Sequence, residues 1–123
     1  MAHTGIYATS AECIAKAGEG YSVTVASEAY INQLCKEIEG FVNALTREDW
    51  STNWALYKTT ATGMLTEIET NYVGSFICGG DPKGYASQRA NENEGNLCWA
   101  RFIQGIGLIK DQKTVTWMKR QLV

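Results

Sequence analysis

Between residues 26 and 47 the chain places Ile31, Leu34, Cys35, Ile38, Phe41, Val42 and Leu45 at intervals of three and four. Side chains so spaced line one side of a 3.6-residue helix, so the segment is an amphipathic helix whose apolar stripe needs a packing partner. Asn32, Lys36, Glu39 and Asn43 fall on its opposite, solvent-facing side. Gly40 within the pattern costs about 1 kcal/mol relative to Ala. Its presence points to the close approach of a neighbouring helix.

Three further segments supply partners. Ser10 to Ala17 reads as a short helix with Ser10 as N-cap, Gly18 as a stop and Cys13 and Ile14 facing inward. A second long helix covers residues 52–76 and gathers Trp54, Tyr57, Ala61, Met64, Leu65, Ile68, Tyr72 and Phe76 on one side. Its threonines weaken intrinsic helicity, so tertiary packing must hold it. A last helix over 97–110 uses Trp99, Phe102, Ile103, Ile106 and Ile109, with Gly105 and Gly107 marking a tight helix contact.

Between the last two helices, Cys78-Gly79-Gly80-Asp81-Pro82-Lys83-Gly84 breaks the pattern. The polar run that follows makes 79–96 either a projecting loop or an exposed helical start. Beyond residue 110, the β-branched, alternating character of residues 113–118 suggests an extended C-terminal arm or a short strand. The expectation is an all-α fold, a small helical bundle forming one domain over 1–123, with a projecting loop at 79–96 and an arm at 111–123. A lone strand in such a domain needs a second chain or a hairpin for its backbone groups.

At 123 residues, 45% hydrophobic, 20% charged and with a net charge of -2, the chain has the composition of a folded globular domain. The mild acidity disfavours general nucleic-acid binding, which needs a basic surplus to neutralise phosphates. A basic group at Lys110, Lys113, Lys119 and Arg120 contrasts with acidic Glu37, Glu39, Glu48 and Asp49. The N-terminus carries no targeting pattern, and no apolar run approaches the ~20 residues that span a bilayer. The expected setting is cytosolic manufacture, with no membrane partner.

Catalytic chemistry finds few candidates. His3 is the only histidine and stands in an N-terminal arm expected to be mobile, where no nucleophile-base pair is easily built. Glu67 and Glu69, like Glu92 and Glu94, are two apart and point to different helix faces, which reads as solvated acids; Glu12 is isolated. The glycines and Lys83 of 79–84 lack the preceding strand and the Lys-Ser/Thr ending of a phosphate loop. Cys13, Cys35, Cys78 and Cys98 stand about twenty or more residues apart with no paired knuckle, so they read as buried thiols and not as a structural zinc site. No catalytic, metal-binding or cofactor-binding residue is assigned.

The Tyr-Ala-Thr-Ser-Ala-Glu start at residues 7–12, the long helix rich in Ala, Ile, Asn and Glu, the Glu48-Asp49-Trp50 corner and the second long helix together resemble the small head-tail connector proteins of tailed bacteriophages. The similarity spans most of the chain through diffuse motifs. It implies a structural subunit of the virion neck, assembled in the host cytoplasm and forming a ring, twelvefold in that family, between portal and tail. Its implied partners are further copies of itself, the portal protein and a downstream tail or neck protein, with DNA passing through without sequence-specific binding.

By position, the resemblance makes 79–96 the projecting loop, with Asp81, Lys83, Tyr85, Gln88 and Arg89, and 113–123 the docking arm. Val115, Trp117, Met118, Lys119, Arg120, Leu122 and Val123 become the expected protein interface. The four cysteines and four tryptophans fall outside the family pattern. The alternatives are a small helical adaptor or regulatory protein that binds a protein partner and, third, an enzyme of unknown type.

Overall fold

The computed structural model describes residues 2–17, 27–80 and 88–123. Among them are α1 (Ser10–Ala17), α2 (Glu28–Thr46), a single 3-10 turn (Trp54–Leu56), α3 (Thr59–Gly80), α4 (Gln88–Ile109) and α5 (Gln112–Lys119), with no strand. The fold is an all-α bundle. Its most extensive packing is α3 against α4, with α1 laid across α3.

Local chemistry sets the helix ends. Thr9, not Ser10, caps α1: its Oγ1 accepts from the Glu12 amide at 3.2 Å, while Glu12 Oε1 accepts from the Thr9 amide at 2.9 Å. This is a reciprocal capping box, and it gives Glu12 a structural role. Ser27 caps α2 by accepting from the Tyr30 amide. Arg47 ends α2 in the left-handed region, at φ 56°, and returns its amide to the Asn43 carbonyl.

The second long helix starts at Thr59, seven residues later than the apolar spacing suggests. Asp49 explains the delay: its side chain and carbonyl accept from the amides of Thr52 and Asn53, which commits this stretch to turns. Trp54 and Tyr57 therefore reach the core from the turn, where Tyr7 stacks on Trp54 at 5.1 Å and Trp50 meets Tyr57 at 4.7 Å. At its other end α3 continues through Gly79 and Gly80, because glycine weakens a helix without forbidding it. The polar run from Gln88 onward is the first half of α4.

The C-terminal arm is a correction. Residues 112–119 form α5, capped by Asp111 accepting from the Lys113 amide at 3.1 Å. A helical period puts Val115 and Met118 on one side, and both are buried in the chain's own core. Beyond α5 an isolated antiparallel bridge joins Tyr57 and Leu122, with the Lys58 amide donating to the Gln121 carbonyl at 2.8 Å and the Val123 amide to Leu56 at 2.9 Å. The backbone pairing expected of a second chain is supplied by this one.

Two apolar clusters fill the bundle. One joins Tyr7, Ile38, Val42, Trp50, Leu65, Ile68, Phe102, Ile106, Ile109, Val115 and Met118. The other joins Cys13, Ala17, Ile31, Leu34, Cys35, Val73, Ile77 and Cys78. All four cysteines are buried thiols, as expected. Phe41, placed in the core stripe by its spacing, is instead 51% exposed.

The two glycines expected at a tight contact, Gly105 and Gly107, divide. A Cβ on Gly105 would lie 2.6 Å from Cγ1 of the buried, β-branched Ile68, so this glycine does mark a tight contact, whereas Gly107 and Gly40 have nothing within 4 Å. Gly105→Ala is expected to lose about 1–3 kcal/mol through overpacking. Gly107→Ala is expected to gain up to about 1 kcal/mol from helix propensity. Urea unfolding of the two variants gives shifts of opposite sign.

Candidate functional site

Three features stand out from ordinary core and surface. The first is an aromatic ladder on α3 and α4: Tyr72 contacts Phe76 and Phe102 at 4.9 and 5.1 Å, Phe76 meets Trp99 at 6.5 Å, and Trp99 meets Phe102 at 5.0 Å. Its outer members remain in solvent, with Trp99 45%, Phe76 38% and Ile103, one turn beyond Trp99, 51% exposed. Contacts between rings hold the patch in one arrangement, so binding there costs little side-chain entropy.

The second is the C-terminal edge, which contains the expected interface residues. Trp117, Leu122 and Val123 are exposed there, as is Leu56, which pairs with Val123. A shallow depression of about 310 Å³ beside Trp117 is bordered by Lys113, Thr116 and Arg120. Lys119 leans 3.9 Å from Glu48. Val115 and Met118 belong to the interior and cannot meet a partner without unfolding α5. Of the expected loop residues, Asp81, Lys83 and Tyr85 lie outside the described residues, and Gln88 and Arg89 open α4.

The third feature is inside. Glu39 and Glu69, expected to be solvated, are buried beside Cys35. Cys35 Sγ and one oxygen of each carboxyl lie within 4.8 Å of one another. Glu39 Oε2 accepts from the Ile6 and Tyr7 amides at 2.9 and 3.4 Å. Neither oxygen of Glu69 has a hydrogen-bond donor, although the residue is 0% exposed. Burial, then the adjoining Glu39 carboxyl, pushes Glu69 up to about 12. The neighbouring Cys13 thiol, then burial, raises the Cys35 thiol.

Both acids stand at core positions of their helices. Glu39 is four residues after Cys35 and three before Val42; Glu69 is four after Leu65 and four before Val73. Pairing Glu69 only with its sequence neighbour Glu67 hid that register. Glu67 does face solvent, where Lys16 Nζ reaches it at 2.9 Å.

His3 is fixed in place. Its Nδ1 faces Glu28 Oε1 at 2.6 Å and its Nε2 faces the Ala8 carbonyl at 2.7 Å, so both ring nitrogens meet acceptors and the doubly protonated ring satisfies both. Burial opposes that charge, but the Ala8 carbonyl and Glu28 outweigh it and raise His3 above its ordinary 6.5. Folding stability from this contact is fully present below pH 6.5 and fades as pH rises through the higher folded value. Melting temperature is expected to fall between pH 6 and 8 more in the parent than in His3→Gln.

No family model, curated protein or solved structure matches this chain. Among the described residues no helix is long and apolar enough to cross a membrane.

Proposed function

We propose that this chain is a non-enzymatic structural subunit that packs against other protein chains, and that its assembly is a neck ring of a tailed bacteriophage between portal and tail. The aromatic ladder carries the reading. Aromatic side chains preset by ring contacts and left in solvent are the anchors of protein interfaces. The resemblance of the helix order to head-tail connectors supplies the specific assembly.

Ring formation has a geometric requirement. A head-to-tail interface joins two different patches, one from each neighbour, and closes when the rotation between copies allows. The α3–α4 ladder and the C-terminal edge share no residue, and both expose tryptophan. In a ring they are the two halves of one contact. DNA passage then relies on the assembled channel and asks no base-reading groups of the monomer.

Sedimentation of the purified chain, alone and with a tailed-phage portal protein, tests the reading. A ring or a portal complex is expected, and Trp99→Glu and Trp117→Glu should each dissolve it while helical circular dichroism is retained. A monomer at every concentration that also ignores portal would overturn it. The depression beside Trp117, with Lys113 and Arg120 at its border, favours a second reading as an adaptor for a separate protein. In that case Trp117→Glu abolishes partner binding and Trp99→Glu leaves it intact.

A further inference from the structure

We propose that Cys35, Glu39 and Glu69 form a binding site for a divalent transition-metal ion of the zinc type. The starting observation is an unmet electrostatic need. A fully buried carboxyl stands against a second carboxyl and a thiol, and no donor reaches either of its oxygens. Native interiors satisfy such groups, because an orphaned one bears its whole desolvation cost. A proton shared between the acids satisfies one oxygen of Glu69 and leaves the other unanswered, while the Cys35 sulfur already meets the Cys13 thiol. A cation answers all three ligands together.

The donor set selects the metal. One sulfur and two carboxylates suit zinc or cobalt, since thiolate disfavours the hard, oxygen-seeking magnesium and calcium. Bonds of about 2.3 Å to sulfur and about 2.0–2.2 Å to oxygen put ligands of a tetrahedral ion somewhat closer than 4.8 Å, within reach of small side-chain rotations. Supporting contacts exist as well. The Ile6 and Tyr7 amides fix one oxygen of Glu39, leaving the other free of backbone donors, and Cys13 lies beside the Cys35 sulfur.

The cluster borders a surface groove through Glu39. An open groove of about 560 Å³ runs between Thr4 and Ser51 and is lined by Lys36, Gly40 and Asn43, with Glu39 in its wall. Glu39 thus belongs to both the groove and the buried cluster, and a water molecule would complete a tetrahedral set. Binding releases the protons of Cys35 and Glu69 to solvent as the metal takes their place, so affinity rises with pH.

The test uses the full chain, stripped with a chelator and titrated with Zn²⁺ or Co²⁺. One ion per chain is expected, tighter at pH 8 than at pH 6, and unaffected by millimolar Mg²⁺ or Ca²⁺. Bound Co²⁺ should show a sulfur-to-metal charge-transfer band and the strong visible absorption of a tetrahedral ion, a signature read on the parent without any variant. Cys35→Ser should remove the charge-transfer band, and Glu69→Gln should weaken binding at least tenfold; Glu67→Gln should change neither. Absence of stoichiometric binding, a cobalt spectrum without the thiolate band, or a spectrum that survives Cys35→Ser would each overturn the site.

Discussion

Trp50→Ala is expected to destabilise the chain by about 3–5 kcal/mol, a large share of the 5–15 kcal/mol that holds a typical domain together. Trp50 is the largest fully buried side chain. Its ring packs on Tyr57, its Nε1 donates to Thr46 Oγ1 at 2.8 Å, and its amide donates to Asn43 Oδ1 at 3.2 Å. Truncation leaves a cavity and an unanswered Thr46 hydroxyl, though that hydroxyl keeps its bond to the Val42 carbonyl. Trp50→Phe retains most of the volume and should cost less than half as much. Denaturant titrations with an unchanged slope check both, and a loss under 1 kcal/mol for the alanine variant contradicts the packing described.

Glu69→Met is expected to move stability the other way. In chelator-treated protein an unbranched apolar side chain removes two orphaned oxygens and should gain about 1–3 kcal/mol, where most core substitutions lose. The pH dependence has a definite sign. Burial raises this carboxyl far above its ordinary 4.5, so the parent's relative stability is fully present below pH 4.5 and declines as pH rises. The advantage of Glu69→Met should therefore widen from pH 5 to pH 8. A variant that is less stable than the stripped parent at every pH would show that the carboxyl has favourable partners.

The sequence made the bundle legible where one periodicity governed a whole segment. Residues 31–45 show this best, since Ile31, Leu34, Cys35, Ile38 and Val42 are all buried where their spacing puts them. Legibility failed where a local hydrogen bond or a mixed pattern competed. Asp49 diverted 52–58 into turns, and the threonines of residues 113–118 imitated a strand although Val115 and Met118 also satisfy a helical period. That the four cysteines are buried thiols could be argued from their spacing alone. The Cys35–Glu39–Glu69 cluster could not, because its members come from two helices and only packing brings them together.

The short helix α1 closes its C-terminal end with sulfur. Cys98 Sγ lies 3.2 Å from the Lys16 carbonyl and Cys78 Sγ 3.6 Å from that of Ala17, so thiols serve the backbone acceptors that a helix end leaves open. These partners are 82 and 61 residues away in sequence. Such distant closure belongs late in folding, after α3 and α4 have met, because loop entropy must be overcome before the contacts form. The order of events then runs against the order of the chain: α1 precedes α3 and α4 in sequence yet is secured after they meet. Its amides should be the earliest of the five described helices to exchange with solvent deuterium.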